Sequence, residues 1–155
     1  MTERIIIAGA GGQGIMLLGK ILAIAAMRED RYVTSLPSYG AEVRGGAAYC
    51  MVIISDKEIG SPYIEKADTL IIMNQPSLGR FKNRLIHKGL LIVNSSLAQM
   101  DFSKNSHIIK QPFTDIAIEL GNLKVANMVV LGCYIAKNKI IDKKKYRICK
   151  KCKKE

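Results

Sequence analysis

The chain contains no tryptophan, and aromatic residues make up only 6% of its 155 positions. That scarcity excludes a base-stacking platform of the kind that binds single-stranded nucleic acid. The core falls to Ile, Val, Leu, Ala and Met, with hydrophobic residues at 48%. No uninterrupted apolar stretch reaches the ~18 residues of a membrane span. The apolar run that begins at Ile5 has a superficial likeness to a secretory signal, but it is broken by glycines and Gln13. These features predict a soluble cytoplasmic protein with reduced thiols and no membrane partner.

Histidine is also scarce, with only His87 and His107. Neither lies at a recognisable spacing from a serine or cysteine nucleophile and a third orienting group, so no catalytic constellation is visible. Among the four cysteines, Cys50 and Cys133 sit in apolar runs and read as small core hydrophobes. Cys149 and Cys152 have C-x-x-C spacing, but a metal or cluster needs four ligands and two distant histidines do not complete the set. No metal site is expected. Acids are outnumbered, and the net charge is +11, yet the excess is local. Residues 137–155 carry ten Lys/Arg and two acids, whereas the first 136 carry 14 against 11. Basicity is thus a property of the end segment, which reads as a solvated charge block, and no nucleic-acid partner is expected.

What the chain does have is glycine in telling places. Arg4 to Ala8 is a β-branched run that breaks at Gly9, Gly11, Gly12 and Gly14 and resumes as a helical pattern. Gly9, Gly11 and Gly14 match G-x-G-x-x-G, in which glycines allow a sharp strand-to-helix turn and the close approach of a phosphate. The helix N-terminus behind it offers unpaired N–H groups to an anion. The same residues also suit a turn with no ligand. A dinucleotide site would add an acid at the end of the second strand, but Tyr32–Leu36 ends in Ser35-Leu36-Pro37-Ser38. A nicotinamide or flavin dinucleotide is therefore not expected.

At this length one domain suffices, able to bury roughly two-thirds of its unfolded surface. The spacing predicts a helix over 13–28, a strand over 32–36 stopped by Pro37, and a functional loop over 37–46 that holds Glu42, Arg44, Gly45 and Gly46. A strand over 47–54 follows, then a polar hairpin tip at 55–62. Strands are predicted over 67–74, 90–94 and 106–110, with a helix from Gln75 to about His87. Two further helices end the pattern, one from Phe113 closed by Gly121-Asn122 and one from Val125 to Lys137 with a buried Asn127 that bonds backbone or faces a ligand. Apolar strands alternating with helices predict an α/β fold, a Rossmann-like, doubly wound and largely parallel sheet with helices on both faces.

The element Gly9-Ala10-Gly11-Gly12-Gln13-Gly14, followed by Pro37-Ser38-Tyr39-Gly40-Ala41-Glu42-Val43-Arg44-Gly45-Gly46 and the strand ending Ile53-Ile54-Ser55-Asp56, resembles the gamma subunit of the 2-oxoacid:ferredoxin oxidoreductases. The likeness covers roughly residues 4 to 136 and is closest to the 2-oxoglutarate type. It implies a noncatalytic subunit of a larger enzyme, inactive alone, with alpha, beta and ferredoxin-like subunits as partners and ferredoxin as acceptor. Thiamine diphosphate and iron–sulfur clusters would belong to those partners, and this chain would hold no tight cofactor of its own. Coenzyme A would bind at the complex site. The resemblance places Gly9, Gly11, Gly12, Gln13, Gly14, Ser38, Tyr39, Glu42, Arg44, Gly45 and Gly46 at the coenzyme or at a subunit interface. It also separates a domain over 1–137 from a lysine-rich segment over 138–155, where family members usually continue with another helix. An isolated chain is expected to pair with itself through its docking face. A stand-alone Rossmann-type nucleotide-binding enzyme or sensor is the alternative reading of the same glycines, and a third, a nucleic-acid-binding protein, rests on the basic end alone.

Overall fold

The structure, a computed structural model, describes residues 1–39, 47–99, 107–138 and 140–141, with Tyr39 described through its backbone only. The described elements run in the order β1 (Thr2–Ala10), α1 (Ile15–Met27), β2 (Tyr32–Tyr39), β3 (Ala47–Ser55), β4 (Ala67–Ile72), α2 (Gln75–Phe81), β5 (Leu85–Asn94), β6 (His107–Gln111), α3 (Phe113–Glu119) and α4 (Ala126–Lys137). Short 3₁₀ turns at Lys82–Arg84 and Leu123–Val125 lead into β5 and α4. No described helix is long and apolar enough to cross a membrane.

The six described strands form one sheet in the order β2-β3-β1-β4-β5-β6. β3 runs antiparallel to both β1 and β2, while β1, β4, β5 and β6 pair in parallel. Five strands therefore point one way and β3 alone is reversed, so the sheet is largely parallel as expected. Both faces are covered. Ile5, Ile7, Val52, Ile71 and Ile92 join α1, α3 and α4 in one core, and Ile6, Ala8, Met51, Leu70 and Val93 join α2 in the other. A strand buried on both sides needs apolar residues at every position, which explains runs without polar alternation.

Three expectations are corrected. Pro37 does not stop the second strand: β2 continues to Tyr39, with Pro37 opposite Cys50. β2 lies at the edge of the described sheet, where a proline's missing N–H costs no ladder bond. The segment after β3 is not a hairpin tip. The hairpin partners are β2 and β3, and residues 56–66 instead pass the start of β1 to reach β4, burying Ile64 on the way. The helix expected to reach His87 ends at Phe81, and His87 lies in β5. Arg84 turns the chain there, donating to the carbonyls of Ile64 and Glu65 and stacking on Tyr63 and Phe81. Lys88, at φ 63°, kinks β5 before its regular pairing with β4 begins at Leu90.

Candidate functional site

β1 hands over to α1 on one face of the sheet and β4 to α2 on the other. The connections therefore diverge between two neighbouring parallel strands, and a crevice opens outside their carboxyl ends, the position at which open α/β sheets bind ligands. The glycine turn forms one wall. Gly12 and Gly14 have φ of 90° and 71°, the left-handed region that disfavours a side chain. Gly9 is needed for a different reason: a Cβ there would lie 2.5 Å from Gln13 Oε1 and 2.9 Å from Met73 Cβ. The first helical bond runs from Leu18 N to Gly14 O, and no side chain caps the N-terminus of α1. First-turn amides are thus not occupied by a capping side chain.

Gln13 and Asn94 hold the crevice floor. Gln13 Oε1 accepts from Ala10 N at 2.7 Å, and its Nε2 donates to Met73 O at 3.3 Å. The buried Asn94, at the end of β5, donates to the same carbonyl at 3.3 Å and to Thr114 Oγ1 at 2.8 Å, and its Oδ1 accepts from Thr114 N. The ends of β1, β4 and β5 are thereby tied to the start of α3. Asn127, 3% exposed on α4, donates to Gly14 O at 3.3 Å and accepts from Met128 N, the first of the two roles its apolar setting allows. Above this floor is a cavity of about 410 Å³, lined by Gly12 and Gln13 on one side and by Leu97, Thr114 and Lys124 among those on the other.

The register brings the end of β2 and the start of β3 to the same end of the sheet as the glycine turn. Ala10 lies opposite Ala47, Tyr39 opposite Ala48, and half-buried Ser38 opposite Tyr49. The last residues of β2 and the first of β3 therefore lie at the end of the sheet where the glycine turn sits. Glu42, Arg44, Gly45 and Gly46 lie outside the described residues, as do Cys149 and Cys152. Thr114, Lys124, Asn94 and Met73 were not singled out from sequence. The available signal was polar residues at strand and helix ends, Asn94 closing β5 and Lys124 following Gly121-Asn122.

A larger cavity, about 550 Å³, opens at the opposite end of the sheet beside Glu3, Asp68, Thr69, His107 and Asn138. Burial pushes the Glu3 carboxyl above its ordinary range, opposed by bonds from Thr69 Oγ1 at 2.6 Å and Asn138 Nδ2 at 2.7 Å. Asn138 also donates to the hydroxyl of fully buried Tyr134, whose pKa is raised chiefly by burial. This end lies away from the diverging connections and from the glycine turn. Cys50 is buried and Cys133 half-buried in the first core, and burial raises both thiols, so neither is poised as a nucleophile. Among the described residues no group of three metal-ligating side chains converges.

The chain matches the family described as pyruvate ferredoxin/flavodoxin oxidoreductase over residues 4–151. It is 38% identical over 133 residues to ketoisovalerate oxidoreductase subunit VorA of Methanothermobacter marburgensis, covering 86% of this chain but only 28% of that protein. The chain thus spans little more than a quarter of that relative. It is 36% identical over 147 residues to 2-oxoglutarate synthase subunit KorC of Methanocaldococcus jannaschii, covering 92% of this chain and 79% of that one. Among solved structures, the gamma subunit of the keto/oxoacid ferredoxin oxidoreductase of Geobacter sulfurreducens superposes with a TM-score of 0.78 at 31% identity, covering 92% of this chain and 80% of that one. A 2-oxoglutarate:ferredoxin oxidoreductase of Magnetococcus marinus, solved with 2-oxoglutarate, coenzyme A and succinyl-CoA bound, shares the fold at a TM-score of 0.78 and 22% identity, over 86% of this chain and 24% of that one. With its fold, its glycine turn and these relatives in agreement, the chain belongs to the pyruvate ferredoxin/flavodoxin oxidoreductase family, among the gamma subunits of the 2-oxoacid:ferredoxin oxidoreductases.

Proposed function

We propose that this chain serves a CoA-dependent oxidative decarboxylation of a 2-oxoacid by holding coenzyme A and by packing against the subunits that carry the chemistry. The supporting observation is the crevice between β1 and β4, whose glycine turn lets a phosphate approach backbone amides and whose β2 strand ends in Ser38 and Tyr39 rather than in a ribose-binding acid. In the overall reaction one 2-oxoacid and one CoA give CO2, an acyl-CoA and a proton, while two electrons pass to two ferredoxin molecules. This chain contributes binding and orientation: the turn fixes the coenzyme. Coenzyme A, when bound, supplies the thiol that accepts the acyl group. The fold neighbour solved with coenzyme A is consistent with this assignment.

The substrate is assigned as 2-oxoglutarate. The chain spans 79% of a 2-oxoglutarate synthase subunit but 28% of the ketoisovalerate subunit, so the former is the nearer match in chain organisation. Thiamine diphosphate and the iron–sulfur clusters are assigned to partner subunits, the location to the cytoplasm, and Glu42 and Arg44 to the coenzyme or the interface. The test is affinity purification of the tagged chain from its native cells, with assay of the eluate for reduction of a low-potential dye. Co-purifying thiamine- and cluster-binding subunits with activity that requires both CoA and 2-oxoglutarate would support the proposal. Activity with ketoisovalerate or pyruvate in place of 2-oxoglutarate would reassign the substrate, and an active eluate indifferent to CoA would overturn the coenzyme role.

A further inference from the structure

α1 and α4 pack against each other over the first core, and both are apolar on the side turned away from it. With 3.6 residues per turn, Leu17, Ile21, Ile24 and Arg28 follow one line along α1, opposite the buried Leu22 and Ala26. Leu17 and Ile24 are 51% and 41% exposed. On α4, Met128, Val129 and Gly132 turn away from the buried Val130 and Tyr134. No charged residue stands between Ala126 and Ala136, so α4 is apolar on its outer side as well as its inner one. A helix of that composition belongs between two layers. Among the described residues the outer side of α4 is left to half-buried Met128 and Val129 and to exposed Gly132, where a Cβ would meet nothing within 4 Å.

Each helix is about 20 Å long and packed helices lie about 10 Å apart, so the pair presents an outer face of roughly 400 Å². A stable interface buries about 800 Å² on each partner, so this strip is the centre of one, and a charged rim must supply the rest. The rim is of one sign. Lys20, Arg28 and Lys137 edge the strip, neither helix contains Asp or Glu, and the neighbouring Glu29, Asp30 and Glu119 lie outside both. A second copy of the chain would set these cations against their own counterparts, which disfavours it as the occupant. The ketoisovalerate subunit carries the matching region as 28% of one longer chain, so there the domain is already joined to further polypeptide. We infer that the outer face of α1 and α4 docks a separate subunit of the same enzyme, through a partner surface that is apolar at its centre and ringed by carboxylates. The inference rests on the assembly half of the function proposed above, and names the face used and the chemistry that meets it.

The test measures the dissociation constant of the purified complex by mass photometry on dilution, and hydrogen exchange of the full chain alone and in the complex. Ile24→Glu puts a carboxylate four residues from both Lys20 and Arg28, pairs that support a helix. Gly132→Gln fills open space with a better helix former. Both variants should therefore fold alone with urea midpoints no lower than the wild type. Each should nevertheless raise the dissociation constant roughly 30-fold, the size of a hot-spot loss. Tyr63→Glu, the same charge change at an exposed residue between β3 and β4, should leave it in place. Lys20→Glu should weaken docking several-fold and flatten its salt dependence. Amides of α1 and α4 should exchange more slowly in the complex than in the chain alone. A complex that assembles equally well with Ile24→Glu and Gly132→Gln would overturn the inference while the assembly reading stands. Equal protection of α1 and α4 in the chain alone would mean that the face is covered by the chain itself or by a second copy, and would overturn it too. Docking indifferent to salt and to Lys20→Glu would overturn the carboxylate rim. A wild-type chain that retains no thiamine- or cluster-binding subunit would instead remove the reading on which the inference rests.

Discussion

At the level of single residues, Gly9 and Gly14 of the glycine turn are held by contacts that leave no room for a side chain. Gly14 sits at φ 71°, and a Cβ there would stand 2.2 Å from Asn127 Nδ2, the atom that donates to Gly14 O. Gly12 has φ 90° but open space around it. Gly12→Ala should therefore cost only left-handed strain, about 1 to 2 kcal/mol, whereas Gly14→Ala should cost about 1 kcal/mol more by also displacing Asn127. Chemical denaturation of both variants checks this, and equal losses would mean that the Asn127 contact contributes nothing. Glu3 gives a pH signature at the other end of the sheet. Its folded pKa is raised above the ordinary 4.5, so its contribution to stability is full below that value and is lost as pH rises through the folded pKa. Glu3→Gln should therefore gain stability relative to the wild type as pH climbs from about 4 to 7. Denaturation midpoints measured across that range should diverge in favour of the variant, and parallel curves would refute the burial argument.

Among the elements, α1 sits close against the sheet. Gly19 faces β3, where a Cβ would meet Cys50 Sγ at 2.6 Å. The absence of a side chain at Gly19 lets the helix approach the sheet that closely. Gly19→Ala trades a helix-propensity gain of about 1 kcal/mol against overpacking of about 1 to 3 kcal/mol, and the loss should win. In a Cys50→Ala background the clash with sulfur disappears and only the 3.2 Å approach to the Cβ of residue 50 remains, so most of the penalty of Gly19→Ala should be relieved. A double-mutant cycle by thermal unfolding measures that coupling, and additive effects would show that the two residues do not meet. Elements defined by composition were legible in sequence: β1, α1, β3 and α4 follow from apolar runs and glycine breaks. The misread ones depended on partners far away in the chain. Pro37 is tolerated because β2 is at the sheet edge, and α2 ends early because Arg84 is drawn to carbonyls of the β3–β4 connection. The candidate site divides in the same way. Gly9 to Gly14 form one local motif, while Thr114 and Lys124 reach the crevice only through the order of strands, which no local pattern encodes.

For the molecule as a whole, the decisive fact is that one sheet serves two cores. β1 points Ile5 and Ile7 into the layer with α1, α3 and α4, and Ile6 and Ala8 into the layer with α2. The α2 layer has a single helix of seven residues and relies on Ile64 and Ala98 from other segments to complete it. If the central strands couple the layers, removing apolar volume from either side destabilises one common transition. Leu18, fully buried on α1, and Leu78, 1% exposed on α2, report on the two sides separately. Leu18→Ala and Leu78→Ala should each cost about 2 to 5 kcal/mol. The sheet lies between them, so the double variant should lose their sum to within about 0.5 kcal/mol. Urea unfolding followed by far-ultraviolet dichroism and by tyrosine fluorescence should give coincident single transitions for the wild type and each single variant. A first transition seen only in Leu78→Ala, with the remaining signal unfolding at the wild-type midpoint, would mean that the α2 face opens on its own. The crevice floor would then be mobile on that side, because Met73, which leads into α2, carries the carbonyl that Gln13 and Asn94 both hold.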